Sequence, residues 1–294
     1  MYHTLDLHFQ NYEHAIAAFC IESNSGLILI ESGPFITYQN LEKALNEKGF
    51  SIDDVKHVLL THIHFDHAGA AWAFAENGAN VYVHPFGAPH MLDPEKLVSS
   101  ATMIYGDQMD TLWGEMKGIP DENLRIVEHL EVLEIDGKTF TALHTPGHAK
   151  HHIAWQHKDI IFTGDVAGVK IDGGPVVPPC PPPDINLEDW KKSISLIQKR
   201  NPKKIILTHY GEEARVQLHL DSLREILDDW AFWVKDKWEQ GMSNDEITPL
   251  FMEYTANQLR EKGVSEHGVK QYEAANPSWM SVSGLVRYWK KKQG

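Results

Sequence analysis

Short runs of β-branched and aromatic residues, separated by turns and helical stretches, set the rhythm of the first two thirds of the chain. Leu27-Ile28-Leu29-Ile30 runs into Glu31-Ser32-Gly33-Pro34, a strand followed by a turn. Leu41 to Lys48 reads as a helix that stops at Gly49. Val58-Leu59-Leu60, Val81-Tyr82-Val83, Thr139-Phe140-Thr141-Ala142-Leu143, Ile160-Ile161-Phe162 and Ile205-Ile206-Leu207 carry the composition of buried strands. Between the last two, Trp190, Ile194 and Ile197 recur at helical spacing over Glu188 to Lys199. Strands alternating with helices predict an α/β fold.

Two stretches break this rhythm. Residues 86–120 hold Leu97, Met103, Tyr105, Met109, Leu112, Trp113 and Met116 between two strand candidates. A connection that long predicts a lid-like or binding insertion with helices of its own. From Gly211 onward the strands are expected to stop. Val216, Leu220, Leu223, Leu227, Trp230 and Val234 then mark one amphipathic helix. Ser243 with Glu246 is a capping box opening a second helix, and Pro277 to Lys292 forms a terminal one with Trp279, Val282, Leu285, Val286 and Trp289 inward. The expected division is a catalytic domain over 1–212 and a helical C-terminal region over 213–294, in keeping with about 150 residues per domain.

Composition narrows the classes. Lys plus Arg number 27 against 41 Asp plus Glu, a net charge of −14. That balance argues against a nucleic-acid binder and against attachment to an anionic membrane; the expected partner is a small-molecule substrate. The apolar runs are strand-sized, well short of a membrane span. The start, Met1-Tyr2-His3-Thr4, shows no basic region leading into an apolar core, and Cys20 with Cys180 is no disulfide framework, so the expected location is the cytoplasm. The Trp-rich tail is expected to pack on its own domain or on a second subunit as a homodimer.

The 18 histidines decide the chemistry. His62-Ile63-His64-Phe65-Asp66-His67 places four potential metal ligands in one short loop, after a strand and before the Ala-rich helix Ala70–Glu76. Three further strands end within a few residues in His148, in Asp165 and in His209. Loops after strand carboxyl ends gather on one edge in folds that layer helices on sheets. Ligand arithmetic then gives a dinuclear centre. His62, His64 and His148 bind one ion, Asp66, His67 and His209 bind the other, and Asp165 bridges them. Imidazole and carboxylate suit zinc first, then iron or manganese.

In their order along the chain, Glu31-Ser32-Gly33, the His62–His67 motif, Pro146-Gly147-His148, Gly164-Asp165 and His209 resemble the metallo-β-lactamase superfamily, specifically its dinuclear hydrolases of the hydroxyacylglutathione hydrolase (glyoxalase) type. The resemblance implies an αββα sandwich with two metal ions at one edge. Glu31 stands where the family usually has Asp, which implies a position behind the ligands. His84, ending a strand, is a second candidate for such a position. A water bridging two dications has its pKa lowered towards ~7. The expected reaction is attack by this hydroxide, aligned by Asp66 and Asp165, on a thioester, ester or lactone. Tyr105, Met109, Trp113 and Tyr210 are the candidates for substrate contact. A mononuclear iron persulfide dioxygenase on the same ligands is the main alternative, and a phosphodiesterase a weaker one that the net charge disfavours. The remaining histidines, among them His90, His129, His144 and His151, are expected in packing or surface roles, and His152 as a structural hydrogen-bonder.

Overall fold

The expected strands form in the computed structural model, which describes residues 1–293. The chain divides into two compact units, one made of Met1–His144 with His151–Phe162, the other of Thr145–Lys150 with the chain from Thr163 onward.

In the first unit, one sheet takes β1 (His3–Asp6), β2 (Ala17–Glu22), β3 (Leu27–Ile30), β4 (Val55–Leu59), β5 (Asn80–Val83) and β6 (Leu124–Ile126) side by side in chain order. The pairing is antiparallel from β1 to β3 and parallel from β3 to β6. Parallel neighbours need crossovers, and the helices supply them. α1 (Tyr38–Glu47) links β3 to β4, and α2 (Phe65–Ala68) with α3 (Ala71–Glu76) links β4 to β5. The insertion contains α4 (Ala88–Leu92), α5 (Glu95–Tyr105) and α6 (Met109–Leu112). All of β3 is buried, as a strand covered on both faces requires.

The second sheet carries β7 (Val132–Ile135), β8 (Lys138–His144), β9 (Ile153–His157) and β10 (Ile160–Phe162) as successive antiparallel neighbours. Phe19 of β2 and Phe162 of β10 meet at 5.5 Å between ring centroids, joining the two sheets through the core. Fully buried Trp155 donates its indole N–H to the Leu60 carbonyl at 2.9 Å, and the Ile153 N–H reaches the Thr61 carbonyl at 2.7 Å. The second sheet thereby fixes the backbone that leads into His62.

In the second unit, α7 (Leu187–Arg200) precedes the hairpin of β11 (Lys204–Leu207) and β12 (Gly211–Glu213). The hairpin corrects the expectation that strands end at Gly211. Gly211 pairs with Leu207, and an apolar strand can draw a polar neighbour into a ladder that local propensity does not foretell. α8 (Val216–Glu239), α9 (Asn244–Glu261), α10 (Glu266–Ala275) and α11 (Ser278–Gln293) follow. The stripe from Val216 to Val234 is the buried face of α8, and α11 packs on α8 and α9. The fold is α/β, two sheets flanked by helices with a helical extension. Among the described residues no helix is long and apolar enough to cross a membrane.

Ser243 closes the N-terminus of α9 as expected: its hydroxyl accepts the Glu246 N–H while the Glu246 carboxylate accepts the Ser243 N–H. Ser243→Ala is expected to lose about 1 kcal/mol of stability. Urea unfolding should show a lower midpoint with an unchanged slope.

Candidate metal centre

The first unit presents its candidate ligands from the segment that leaves β4. Past Leu59 the chain runs irregularly, with a bend at Thr61, to His64 and then turns into α2, which carries Asp66 and His67 in its single turn. Asp66 and His67 thus sit on their own short helix rather than in the loop before the Ala-rich one. His62 and His67 are buried, while His64 and Asp66 are half-buried.

A buried carboxylate organises this group. Glu31, fully buried, accepts the Thr61 N–H at 3.1 Å and the Thr61 hydroxyl at 2.5 Å. Its Oε1 also lies 2.9 Å from Nδ1 of His67, which therefore carries the proton and leaves Nε2 with a lone pair. Because the Thr61 hydroxyl proton goes to Glu31, the Thr61 oxygen must accept from Nδ1 of His62 at 3.0 Å. His62 likewise keeps its lone pair on Nε2, which faces Nδ1 of His64 at 2.9 Å. One carboxylate therefore sets two tautomers, one directly and one through a hydroxyl, the arrangement by which outer groups orient metal-ligating imidazoles. Glu31 itself has a left-handed φ of 65°. Non-glycine residues are held in that region only where the surroundings over-determine them.

The second unit presents His148, Asp165 and His209, each with side chains almost wholly buried. His148 follows Gly147, whose φ is 140° and whose missing Cβ would lie 2.2 Å from Cα of Trp190. Only glycine lets α7 approach this closely. The Ser193 hydroxyl donates to the Pro146 carbonyl at 2.6 Å and locks the loop to α7. Nδ1 of His148 donates to the Pro179 carbonyl at 2.8 Å, leaving Nε2 to face Asp165 Oδ2 at 3.3 Å. The other Asp165 oxygen, Oδ1, lies 3.4 Å from Nε2 of His209. One carboxylate thus turns an oxygen to each of two imidazoles.

The spacing fits metal ligation. Two ligands bound tetrahedrally at ~2.05 Å stand about 3.4 Å apart. The two separations around Asp165 match that value, as does the 3.5 Å between Asp66 Oδ2 and His67 Nε2 in the first unit. The histidine and aspartate clusters are thus able to bind divalent metal.

The other expected site residues fall as follows. Tyr105 stands edge-on to Trp113 at 5.2 Å, and burial, then the nearby Asp66 charge, pushes its phenol pKa well up. It stays protonated at neutral pH. Trp113 stacks on Phe9 at 5.5 Å, and Met109 is buried in α6. Tyr210 follows His209, with its N–H on the Lys170 carbonyl at 3.2 Å. His84 packs on His144 at 4.0 Å and accepts the Phe86 N–H on Nδ1. His151, expected in a packing or surface role, and His152, expected as a structural hydrogen-bonder, both turn their rings to His62, at 6.1 and 5.0 Å. The signal that marks them is their place just after Pro146-Gly147-His148 and ahead of β9. Thr61 carried no such signal.

Residues 12–210 match the family model of the metallo-beta-lactamase superfamily. The chain is 30% identical over 164 residues to a metallo-beta-lactamase fold-containing protein of Sulfurisphaera tokodaii, a match covering 54% of this chain and 62% of that one. It is 31% identical over 116 residues to a hydroxyacylglutathione hydrolase of Haemophilus influenzae, covering 38% of this chain and 50% of that one. These matches span under two thirds of either relative. A metallo-beta-lactamase family protein of Thermus thermophilus superposes with a TM-score of 0.67 at 18% identity, over 99% of this chain and 94% of that chain. That likeness shows the shared fold.

Thr61→Val removes the hydroxyl between Glu31 and His62 at almost constant volume. Chemical unfolding should show a loss of about 1–3 kcal/mol, the cost of leaving buried polar groups short of partners. His84 gives a pH signature. Burial, then the neighbouring His144, holds its pKa down at about 4, below the ~6.5 of the unfolded chain. The unfolded state therefore binds the proton first, and this contribution to stability is full above pH ~6.5 and lost as pH falls towards 4. Thermal unfolding across that window should show a shallower acid slope in His84→Asn than in the wild type.

Proposed function

Because the chain belongs to the metallo-beta-lactamase superfamily, we propose that it is a hydrolase that uses two divalent metal ions, zinc first, to cleave an ester-like bond (a thioester, ester or lactone) of a small molecule. In our assignment His62, His64 and His148 hold one ion, Asp66, His67 and His209 hold the other, and Asp165 serves both. The observation that carries this reading is the Asp165 carboxylate, one oxygen towards His148 and the other towards His209, with the His148 tautomer set by Pro179. Bound there, the ions would supply Lewis acidity towards a carbonyl and a water that ionises near neutral pH.

The protein's own groups do the rest. Asp66, whose side chain keeps 20% of its exposure, is our choice for accepting the proton of an attacking water, on the carboxylate oxygen not turned towards His67. Glu31 and Pro179 keep Nε2 of His67 and His148 unprotonated while that proton moves. Tyr105, protonated and close to Asp66, is our choice for donating a hydrogen bond to the substrate carbonyl. Two kinds of relative weight the ester-like reading: the hydroxyacylglutathione hydrolase and an atrochrysone carboxyl ACP thioesterase of Aspergillus fumigatus, 29% identical over 119 residues.

Elemental analysis of the purified protein, followed by a panel of thioester, lactone and phosphodiester substrates, tests the proposal. Asp165→Ala is expected to lose most bound metal and to lower turnover by about 100-fold or more. Full metal and full activity in that variant would refute the ligand assignment, and exclusive phosphodiester cleavage would refute the substrate class.

A further inference from the structure

Nothing in the ligand motifs accounts for the helices after β12, which lie beyond the residues matched by the superfamily model. Within the second unit, three of them touch the turn that presents Asp165 or the strap that orients His148.

The first segment is the 3-10 turn Gly164–Ala167, which carries Asp165. Two of its carbonyls accept from buried side chains. The Trp190 indole of α7 donates to Val166 at 2.8 Å, and His219 of α8 donates through Nε2 to Ala167 at 2.7 Å. His219 is only 4% exposed, so this bond is not shared with solvent. Just beyond the turn, the Lys170 N–H bonds the His209 carbonyl at 2.5 Å, tying the segment to that of the other ligand.

The second segment is the strap from Val177 to Pro183, whose Pro179 carbonyl takes the Nδ1 proton of His148. The residues on either side of Pro179 are both held by the tail. Asn276, after α10, donates to the Pro178 carbonyl at 3.2 Å, and Ser281 of α11 accepts the Cys180 N–H at 3.3 Å. Ser281 also donates to Asn276 at 3.2 Å, so the two act as one clasp. Gly284 makes the approach possible, because a Cβ there would lie 2.0 Å from the Cys180 carbonyl oxygen. Ahead of the strap, the Tyr272 hydroxyl of α10 accepts the Ile171 N–H at 2.9 Å and donates to the Pro175 carbonyl at 2.7 Å.

We propose that the C-terminal helices are a positioning element of the metal centre, His219 fixing the turn that presents Asp165, and Asn276, Ser281 and Gly284 fixing the strap whose Pro179 carbonyl orients His148. The inference rests on the ligand assignment above and adds to it. A carbonyl that can drift no longer fixes a tautomer, and the imidazole then spends part of its time with the wrong nitrogen bearing the proton. Groups that orient ligands from behind contribute about 10- to 100-fold in metal affinity.

The test uses the full chain and cobalt(II), read by chelator competition and by visible absorption of the bound ion, with thermal unfolding of the metal-free protein alongside. His219→Leu and Gly284→Ala are each expected to weaken cobalt binding about 10- to 100-fold and to alter the absorption bands. His219→Gln, which keeps an amide donor for the Ala167 carbonyl, is expected to restore both to near wild type. Wild-type affinity and spectrum in His219→Leu and in Gly284→Ala would overturn the positioning role while leaving the metal centre standing. Absence of cobalt binding by the wild type would overturn the ligand assignment and this inference with it. Should His219→Leu fail to fold, Ser281→Ala and Gly284→Ala decide the matter by the same two readings.

Discussion

A neutral imidazole offers a lone pair at one nitrogen only when the proton has somewhere to stay on the other. In this protein the acceptors that hold those protons come from deep in the fold: the Glu31 carboxylate for His67, the Thr61 hydroxyl for His62, and the Pro179 carbonyl for His148. Each is buried, so water does not compete for the bond, and a buried donor without its partner would cost free energy. The rest of the structure can be understood as the means of placing these three acceptors.

For the first unit the means is sheet pairing. Glu31 leaves the end of β3, its N–H bonded to the Leu59 carbonyl of β4, so parallel register sets the carboxylate beside Thr61. The second sheet reinforces the same stretch through Trp155 on Leu60 and Ile153 on Thr61. For the second unit the means is close packing of helices on irregular backbone. Gly147 and Gly284 remove the side chains that would hold α7 and α11 away, and buried donors then meet carbonyls the loops leave open. Different construction yields the same result, an imidazole with one usable nitrogen.

The burial of Glu31 illustrates how a charge is tolerated in a core. A carboxylate removed from water needs hydrogen bonds or a cation to offset desolvation. Glu31 receives three donors, and divalent charge at the neighbouring imidazoles would add long-range attraction in a medium of low dielectric. Its left-handed backbone is a further strain that the surrounding pairing holds in place. Structure and chemistry are thus coupled at one residue, and a change there disturbs both.

The sequence by itself determined the strands from β3 to β5, β8, β10 and β11, the amphipathic helices of the tail, and the identity of His62, His64, Asp66, His67, His148, Asp165 and His209 as candidate ligands. Those features are local: apolar periodicity, a capping box at Ser243, and chemistry-bearing residues just past strand ends. β1, β2, β6, β7 and β12 escaped because their residues gain strand structure from partners rather than from composition; β2 begins with two alanines and pairs on both edges. The tautomers, the facing of His151 and His152 towards His62, and the grip of His219 on the Asp165 turn and of Ser281 on the strap beside Pro179 were decided only in three dimensions. A backbone carbonyl such as that of Pro179 has no letter of its own, and its role exists only once a distant histidine has been brought against it.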